Sequence, residues 1–470
     1  MSFTRRTFLL GAGSGLSLLV LAACTDGAPK PTPTITPQPL NDVPAPDTFL
    51  RSNWTADPYA RGATSYLRAG ALPQARESLR TPILDRVFFA GEAISDAPGT
   101  IRGAVQSGAD VARSVYAIAG DSDRVAVIGA GAAGVEAARL LRAFGTDVVL
   151  IEARDRVGGR IDSRTTNSEA TIELGAWRLT DGPDDGLIRS LERAGVASLP
   201  LAGGSAFSPQ EDPTAADAPL LELPADDAQR ASGAEAIAAA IEWAREQSVD
   251  LAIAAAIDQS GLADTVARAS DDSALVLQQL LVELSVLTGA DASELTSWYS
   301  TQQPGVAAVV PDGTLSALFE SALADVEPSL STVVVAVFYD DDRVSLRLGT
   351  GESLSVDRVV ITVPLGVLQA QAIEFDPPLP LVQRSALDQL AVGHVEVVAL
   401  EFETPFWQTD AVLWLREDDE ELIRFWVNMQ PITGQNVLLG LVGGDAAETI
   451  SDLDDAAVLK AAQRSLEPFA

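Results

Sequence analysis

Short apolar runs and helical stripes alternate along most of this chain. Arg124 to Ile128 (RVAVI) and Asp147 to Ile151 (DVVLI) are strand-length apolar runs, and Ala132 to Phe144 between them has helical spacing. Strand, helix and strand in this order predict a βαβ unit with parallel pairing. Upstream, Val87 to Ala90 reads as a buried strand ending in Gly91, and Gly103 to Ala119 as a helix that passes through Gly120 to Asp123 into the run at Arg124. Downstream, Leu187 to Leu287 is rich in alanine and leucine at helical spacing, as in Glu235 to Ala256. Within it, Ala206 to Asp227 is polar and proline-containing and reads as a loop. Ser331 to Phe338, Arg343 to Leu348 and Arg358 to Val363 read as strands, with Asp340 to Asp342 as a hairpin turn.

Glycines punctuate the first βαβ unit. Gly129-x-Gly131-x-x-Gly134 follows Ile128 at once. Gly129 permits a tight turn, Gly131 lets backbone approach a pyrophosphate, and Gly134 lets the helix pack close on the strand. The helix start at Ala132 and Ala133 offers free N–H groups and a positive dipole end to phosphates. Glu152 ends the second strand 23 residues after Gly129, where a carboxylate accepts ribose hydroxyls, and Ala153 and Arg154 follow it. Gly158-Gly159-Arg160 then folds against the pyrophosphate, with Arg160 supplying charge. These features in register predict a dinucleotide-binding site.

Totals narrow the picture. With 470 residues, 47% of them hydrophobic, and seven Trp, the chain can bury a large core and is expected to hold two domains. The net charge of −34 argues against nucleic-acid binding. That acidity either steers cationic amines inward or serves solubility outside the cell. Lysine stands only at positions 30 and 460, so 30 of the 32 basic residues are arginine. One cysteine excludes internal disulfides, and one histidine excludes a His-rich metal site.

The N-terminus has its own pattern. Thr4-Arg5-Arg6-Thr7-Phe8-Leu9-Leu10 resembles a twin-arginine export signal, and its apolar stretch, Phe8 to Ala23, is short for a membrane span. Leu21-Ala22-Ala23-Cys24 resembles a bacterial lipoprotein cleavage box, which would make Cys24 the lipidated first residue of an exported, membrane-anchored protein. The alternative is an ordinary signal whose cysteine falls here by chance. Thr25 to Asp47 carries prolines 29, 31, 33, 37, 39, 44 and 46 and reads as an extended tether.

Val125 to Arg160 resembles the FAD-binding N-terminus of the flavin-containing amine oxidases (monoamine and polyamine oxidases) and their desaturase relatives. The resemblance narrows the dinucleotide to FAD and implies that Glu152 holds the AMP ribose. Glu173-Leu174-Gly175-Ala176-Trp177 is similar to the family's next flavin-contacting segment. Ile361-Thr-Val-Pro364-Leu-Gly-Val-Leu368 and Phe375-Asp-Pro377-Pro378-Leu379-Pro380 resemble later family motifs, and a backbone pair near Val334 and Val335 is expected to grip the adenine. Val310-Pro-Asp312-Gly313 resembles a departed form of the family's P-x-G-G segment, with Asp312 in place of the first glycine.

Three upstream motifs resemble the family's C-terminal part: Trp54-x-x-Asp57-Pro58, Phe89-Ala90-Gly91-Glu92-Ala93 and Gly99-Thr100-x-x-Gly103-Ala104-x-x-Ser107-Gly108. Gly91 lets backbone approach the flavin side, Glu92 is placed to bond the ribityl or pyrophosphate region, and the Gly99–Thr100 helix start points at the isoalloxazine. In the family these motifs follow the fingerprint; here they precede it. Circular permutation explains that order, with the start of the body near Phe49 expected beside Ala470; an orphaned tail from a lost copy is the other explanation.

The fold class expected is α/β. It comprises a three-layer Rossmann-like FAD-binding domain (49–118, 119–180 and 308–370) and an α+β substrate domain with a mixed sheet and helices (helical 181–307, then sheet and terminal helix 371–470). Residues 1–24 are the signal and 25–48 the tether.

The resemblance implies that flavin N5 accepts a hydride equivalent from the carbon beside an amine nitrogen, with O2 or another acceptor reoxidising the flavin. The family's lysine near N5 falls at Val397, beside Glu396, and Lys460 lies in the wrong segment to replace it. The catalytic residue is therefore left unassigned. Gly62 or Ala63 stands where monoamine oxidases link flavin through cysteine, so FAD is expected to be noncovalent. Their paired tyrosines are replaced by Thr100 and by Ala63 or Thr64. His394 reads as a loop-end histidine or a base, and Tyr66, Trp177, Trp298 and Tyr299 as core or substrate-facing. Two functions stand: an anchored oxidoreductase acting on a small monoamine, polyamine or amino acid, or an FAD-binding module with lost or weak oxidase activity.

Overall fold

A computed structural model describes residues 43–470, apart from 121, 167, 181, 209–219, 225–227, 270 and 301–307. The signal, Cys24 and all but the end of the tether lie outside the described residues.

The apolar runs assemble a parallel five-stranded sheet. Its order is Pro328–Ser329, Asp147–Ile151, Arg124–Ile128, Arg358–Ile361 and Val87–Phe89. Side chains alternate across it as strand geometry demands. Val125 and Val127 face one core with the helices Ile101–Ile118 and Ala132–Ala143, while Ala126 and Ile128 face another with the strands Val334–Tyr339 and Val344–Leu348. Helices, parallel sheet and a second, four-stranded sheet form three layers. The two helices meet closely: a Cβ on Gly108 would stand 2.2 Å from the Ala133 carbonyl oxygen.

The second large unit is a seven-stranded mixed sheet, ordered Thr48–Arg51, Val395–Glu401, Val437–Gly443, Phe425–Asn428, Leu413–Arg416, Ser205–Ser208 and Leu221–Leu223. Only the pairing of Ser205–Ser208 with Leu413–Arg416 is parallel. Helices including Ala228–Arg245, Ile253–Gln259 and Asp271–Thr288 pack beside it.

Several boundaries differ from the sequence reading. The expected loop Ala206 to Asp227 contains two strands, because Ala206 and Phe207 are buried and Phe207 pairs in register with Leu415. Glu235 to Ala256 is split between two helices, Ala228–Arg245 and Ile253–Gln259. The expected FAD-domain segment opens instead with Thr48–Arg51, an edge strand of the mixed sheet. Glu374–Asp376, expected in the substrate domain, pairs with Val334–Tyr339 on the FAD side.

Both ends of the described body meet. Phe49 packs on the cluster that holds Leu466 and Phe469, and Arg51 Nε lies 2.7 Å from Asp455 Oδ1. Gln463 Nε2 donates to the Pro44 carbonyl at 3.3 Å.

Candidate functional site

At the C-terminal edge of the parallel sheet the chain opens into a cleft of about 1410 Å³, solvent included. Such edges are where nucleotides bind in doubly wound folds. Sequence-distant stretches meet there: Gly91, Glu92, Gly99 and Thr100 line it together with Gly129, Gly131, Ala132, Ala133, Glu152, Ala153, Arg154, Gly159, Arg160 and Ala176. Gly134 does not line it but does its packing work, since a Cβ there would stand 1.8 Å from the Gly129 carbonyl oxygen. Thr332, Val333, Val334 and the segment Thr362 to Pro364 also line the cleft, without having been singled out as a set from sequence. Val335 does not line it: the pairing of Val334 with Leu348 and of Ala336 with Arg347 skips Val335 at a bulge.

The cleft suits FAD by its own geometry. Gly131 caps the helix Ala132–Ala143 without a side chain, so first-turn N–H groups face the cleft as an anion site. Gly91, at φ +145°, has open space where a side chain would stand. Thr362 Oγ1 donates to the carbonyls of Ile128 and Gly129 at 2.9 and 3.0 Å and fixes the fingerprint turn.

Charged residues lock the walls. Glu152 is buried, and its carboxylate accepts from the N–H groups of Ala130 at 2.6 Å and Arg154 at 2.8 Å. Arg154 reaches back across the cleft to Asp57 in a bidentate pair at 2.7 and 3.0 Å, over the rings of Trp54 and Tyr59. This pair joins the upstream Trp54–Pro58 motif to the fingerprint unit, and spacing within either motif gave no sign of it. Glu92 lines the cleft where it is expected, and its oxygens also accept from Ser65 Oγ and the Gly99 N–H, both at 2.8 Å, and from Arg160 Nη1 at 3.2 Å.

A smaller chamber of about 880 Å³ opens from the cleft and shares Ala63, Gly99, Thr100, Ile101, Arg160 and Ala176 with it. Gly175 and Trp177 belong here rather than to the cleft, with Arg178, Asp184, Val286, Leu287, Val395 and Val397. Val397 is 1% exposed, and its strand turns Glu396 to the other side. There Glu396 accepts from Ser52 Oγ and the N–H groups of Trp54 and Thr55 at 2.6, 3.0 and 2.9 Å, and burial raises its carboxyl pKa.

His394 lines neither cavity. It ties Thr55 Oγ1 at 3.1 Å to Glu448 Oε1 at 3.0 Å, a strap between segments rather than a base. Half-buried Trp298 donates its indole N–H to the Ala244 carbonyl and lines none of these cavities, while Tyr66 and Tyr299 border a third, outer cavity that meets the chamber at Thr64 and Leu287. Asp312 ends a strand paired with Ala197–Pro200, outside both cavities.

Comparison with known proteins agrees with this geometry. The profile described as flavin containing amine oxidoreductase matches residues 32–116 and 132–469, and one described as pyridine nucleotide-disulphide oxidoreductase matches 85–172. The chain is 26% identical over 359 residues to lysine-specific histone demethylase 2 of Homo sapiens, covering 73% of this chain and 43% of that one. It thus spans less than half of that relative's length. It is 28% identical over 350 residues to polyamine oxidase 3 of Oryza sativa subsp. japonica, covering 73% and 72%. Among solved structures, cyclohexylamine oxidase from Brevibacterium oxydans aligns with a TM-score of 0.56 at 21% identity, over 74% of this chain and 82% of that one. Putrescine oxidase bound to putrescine aligns with a TM-score of 0.54 at 19% identity, over 74% and 81%. With its cleft built from the upstream motifs and the fingerprint unit and a profile match across most of its length, the chain belongs to the flavin containing amine oxidoreductase family, whose cofactor is FAD.

Proposed function

We propose that this protein is an exported, lipid-anchored FAD oxidoreductase that oxidises a small amine. The observation that carries the reading is the chamber opening directly from the cofactor cleft, with Trp177, Val286, Leu287, Val395 and Val397 as its apolar side. Noncovalently bound FAD supplies the two-electron acceptor. The chain's task is to seat the substrate so that the C–H bond beside nitrogen faces the cleft and to keep water away. That bond breaks with its electron pair leaving as a hydride equivalent, the nitrogen lone pair forms C=N, and water later releases carbonyl and amine. O2 or another acceptor then takes the two electrons.

Among the described residues no lysine lines the chamber; Lys460 is exposed on the terminal helix Asp455–Leu466. This supports slow reoxidation by oxygen, and it keeps a second reading, an FAD-binding module with lost activity. Anaerobic mixing of FAD-loaded protein with monoamines, polyamines and amino acids separates the two. Flavin bleaching by at least one class is expected, with dye reduction in the absence of O2 or peroxide release once O2 is readmitted; no bleaching by any class leaves the module.

We also read the inverted motif order as circular permutation, supported by the contact between Pro44 and Gln463. For anchoring, Cys24→Ser is expected to move the protein from the membrane fraction to the soluble exported fraction. An unchanged distribution would remove the anchor.

A further inference from the structure

The outer cavity, of about 1180 Å³ with solvent included, is lined by a buried cation without a counter-ion. Arg76, in the helix Gln74–Arg80, stands on its wall and is only 6% exposed. Nη1 is engaged: it donates to Ser65 Oγ at 3.1 Å and to the Ala93 carbonyl. Among the described residues Nε and Nη2 have no partner, and the guanidinium forms no ion pair. Glu92 stands one hydroxyl away, since Ser65 Oγ donates to its Oε2, and its Oε1 is taken by Arg160. Of the acids on the cavity wall, Asp96 is paired with Arg80, and Glu77 is exposed.

Burial lowers the Arg76 pKa from 12.5 to about 10. The group is still cationic at neutral pH, at a desolvation cost that an anion in contact would offset. A second observation points the same way. Thr64, also 6% exposed, lines the same cavity, and its hydroxyl is buried without a hydrogen-bond partner. Buried polar groups are ordinarily paired, so a cavity bordered by two unmet donors lacks its acceptor. The planar fork of a guanidinium matches the paired oxygens of a carboxylate or a phosphate.

We infer that the outer cavity is a second binding site, centred on Arg76, for a small oxyanion, either a carboxylate or a phosphate. Nε and Nη2 are the donors left to receive it. The site lies outside the chamber, so its ligand is not the amine being oxidised, and its binding does not rest on the oxidoreductase reading.

The test is isothermal titration calorimetry on the FAD-loaded full chain at fixed ionic strength, with inorganic phosphate, butyrate and uncharged 1-butanol as probes. At least one anion is expected to bind wild type more tightly than 1-butanol does. Arg76→Gln is expected to weaken that anion roughly tenfold or more. Arg76→Lys, which keeps the charge but not the fork, is expected between the two and covers a failure of the Gln variant to fold. Binding of phosphate alone assigns a phosphorylated ligand, binding of butyrate alone a carboxylate, and binding of both the chemistry they share; each supports the inference. Binding of neither anion, parity with 1-butanol, or wild-type affinity in either Arg76 variant overturns it. Failure of every amine to bleach the flavin would remove the oxidoreductase reading and leave this site standing.

Discussion

The cofactor cleft and the inner chamber share a wall at Ala63, Thr100 and Arg160, yet they are made of different materials. Much of the cleft is glycine, alanine and helix-end backbone, whose shape follows from local spacing and positive φ angles. The chamber is made of side chains from five separated stretches, between Trp54 and Val397. Backbone cradles tolerate drift elsewhere in the chain because they depend on a few residues in register. A side-chain chamber changes with any one contributor, so a family can keep its cofactor while changing its substrate.

Breaking the cleft alone should have the largest effect. Gly134→Val places a methyl-bearing carbon where even a Cβ stands 1.8 Å from the Gly129 oxygen. Loss of FAD retention on gel filtration is expected, with a fold cost above about 3 kcal/mol. Retained flavin at wild-type stoichiometry would contradict the packing role.

Glu173 lines neither region but lies two residues before Gly175, where one wall of the chamber begins. It accepts from Ser163 Oγ and from the Leu315 N–H at the start of the helix Leu315–Ser321, and burial pushes its carboxyl up from 4.5 to about 7. The folded value exceeds the unfolded one, so the folded state holds the proton more tightly. That contribution is complete below about pH 4.5 and is lost as pH rises through about 7. Wild type is expected to lose on the order of 2–3 kcal/mol relative to Glu173→Gln between pH 5 and pH 8, read from paired thermal melts. A constant difference across that range would refute the assignment.

Asp57→Asn tests the outer wall of the cleft. Removing one charge from the partly buried pair with Arg154 is expected to cost about 1–2 kcal/mol and to weaken FAD several-fold. Unchanged FAD retention would mean that the pair does not hold the wall of the cleft.

The smallest effect is expected outside both. His394→Gln, at a partly exposed strap to Glu448, should change stability by less than about 1 kcal/mol and leave the bleaching rate unaltered. A rate loss of tenfold would restore the histidine as a base.

The fingerprint Gly129-x-Gly131-x-x-Gly134, the acid at Glu152 and the upstream Gly91 and Thr100 were legible because each is a local rule: a turn, a helix end or a strand terminus. Other parts were not. The pair Val334 and Val335 left open which residue lines the cleft, because a bulge cannot be seen in an apolar run; Val334 lines it and Val335 does not. The protein partners of Glu92, namely Ser65, Gly99 and Arg160, lie in other segments and leave no local sign in the sequence. Ser205–Ser208 read as loop because its apolar content is only two residues, and its burial comes from pairing with Leu413–Arg416.

Sequence alone determined the cofactor class and the layered α/β fold, since short-range spacing fixes turns, helix starts and strand faces. The tertiary structure decided that the upstream motifs and the fingerprint unit meet at one cleft, that Asp57 holds Arg154, and that Arg178 lines the chamber while sharing Glu283 with Arg230. Those facts depend on distances between remote residues, and only packing of the whole chain sets them.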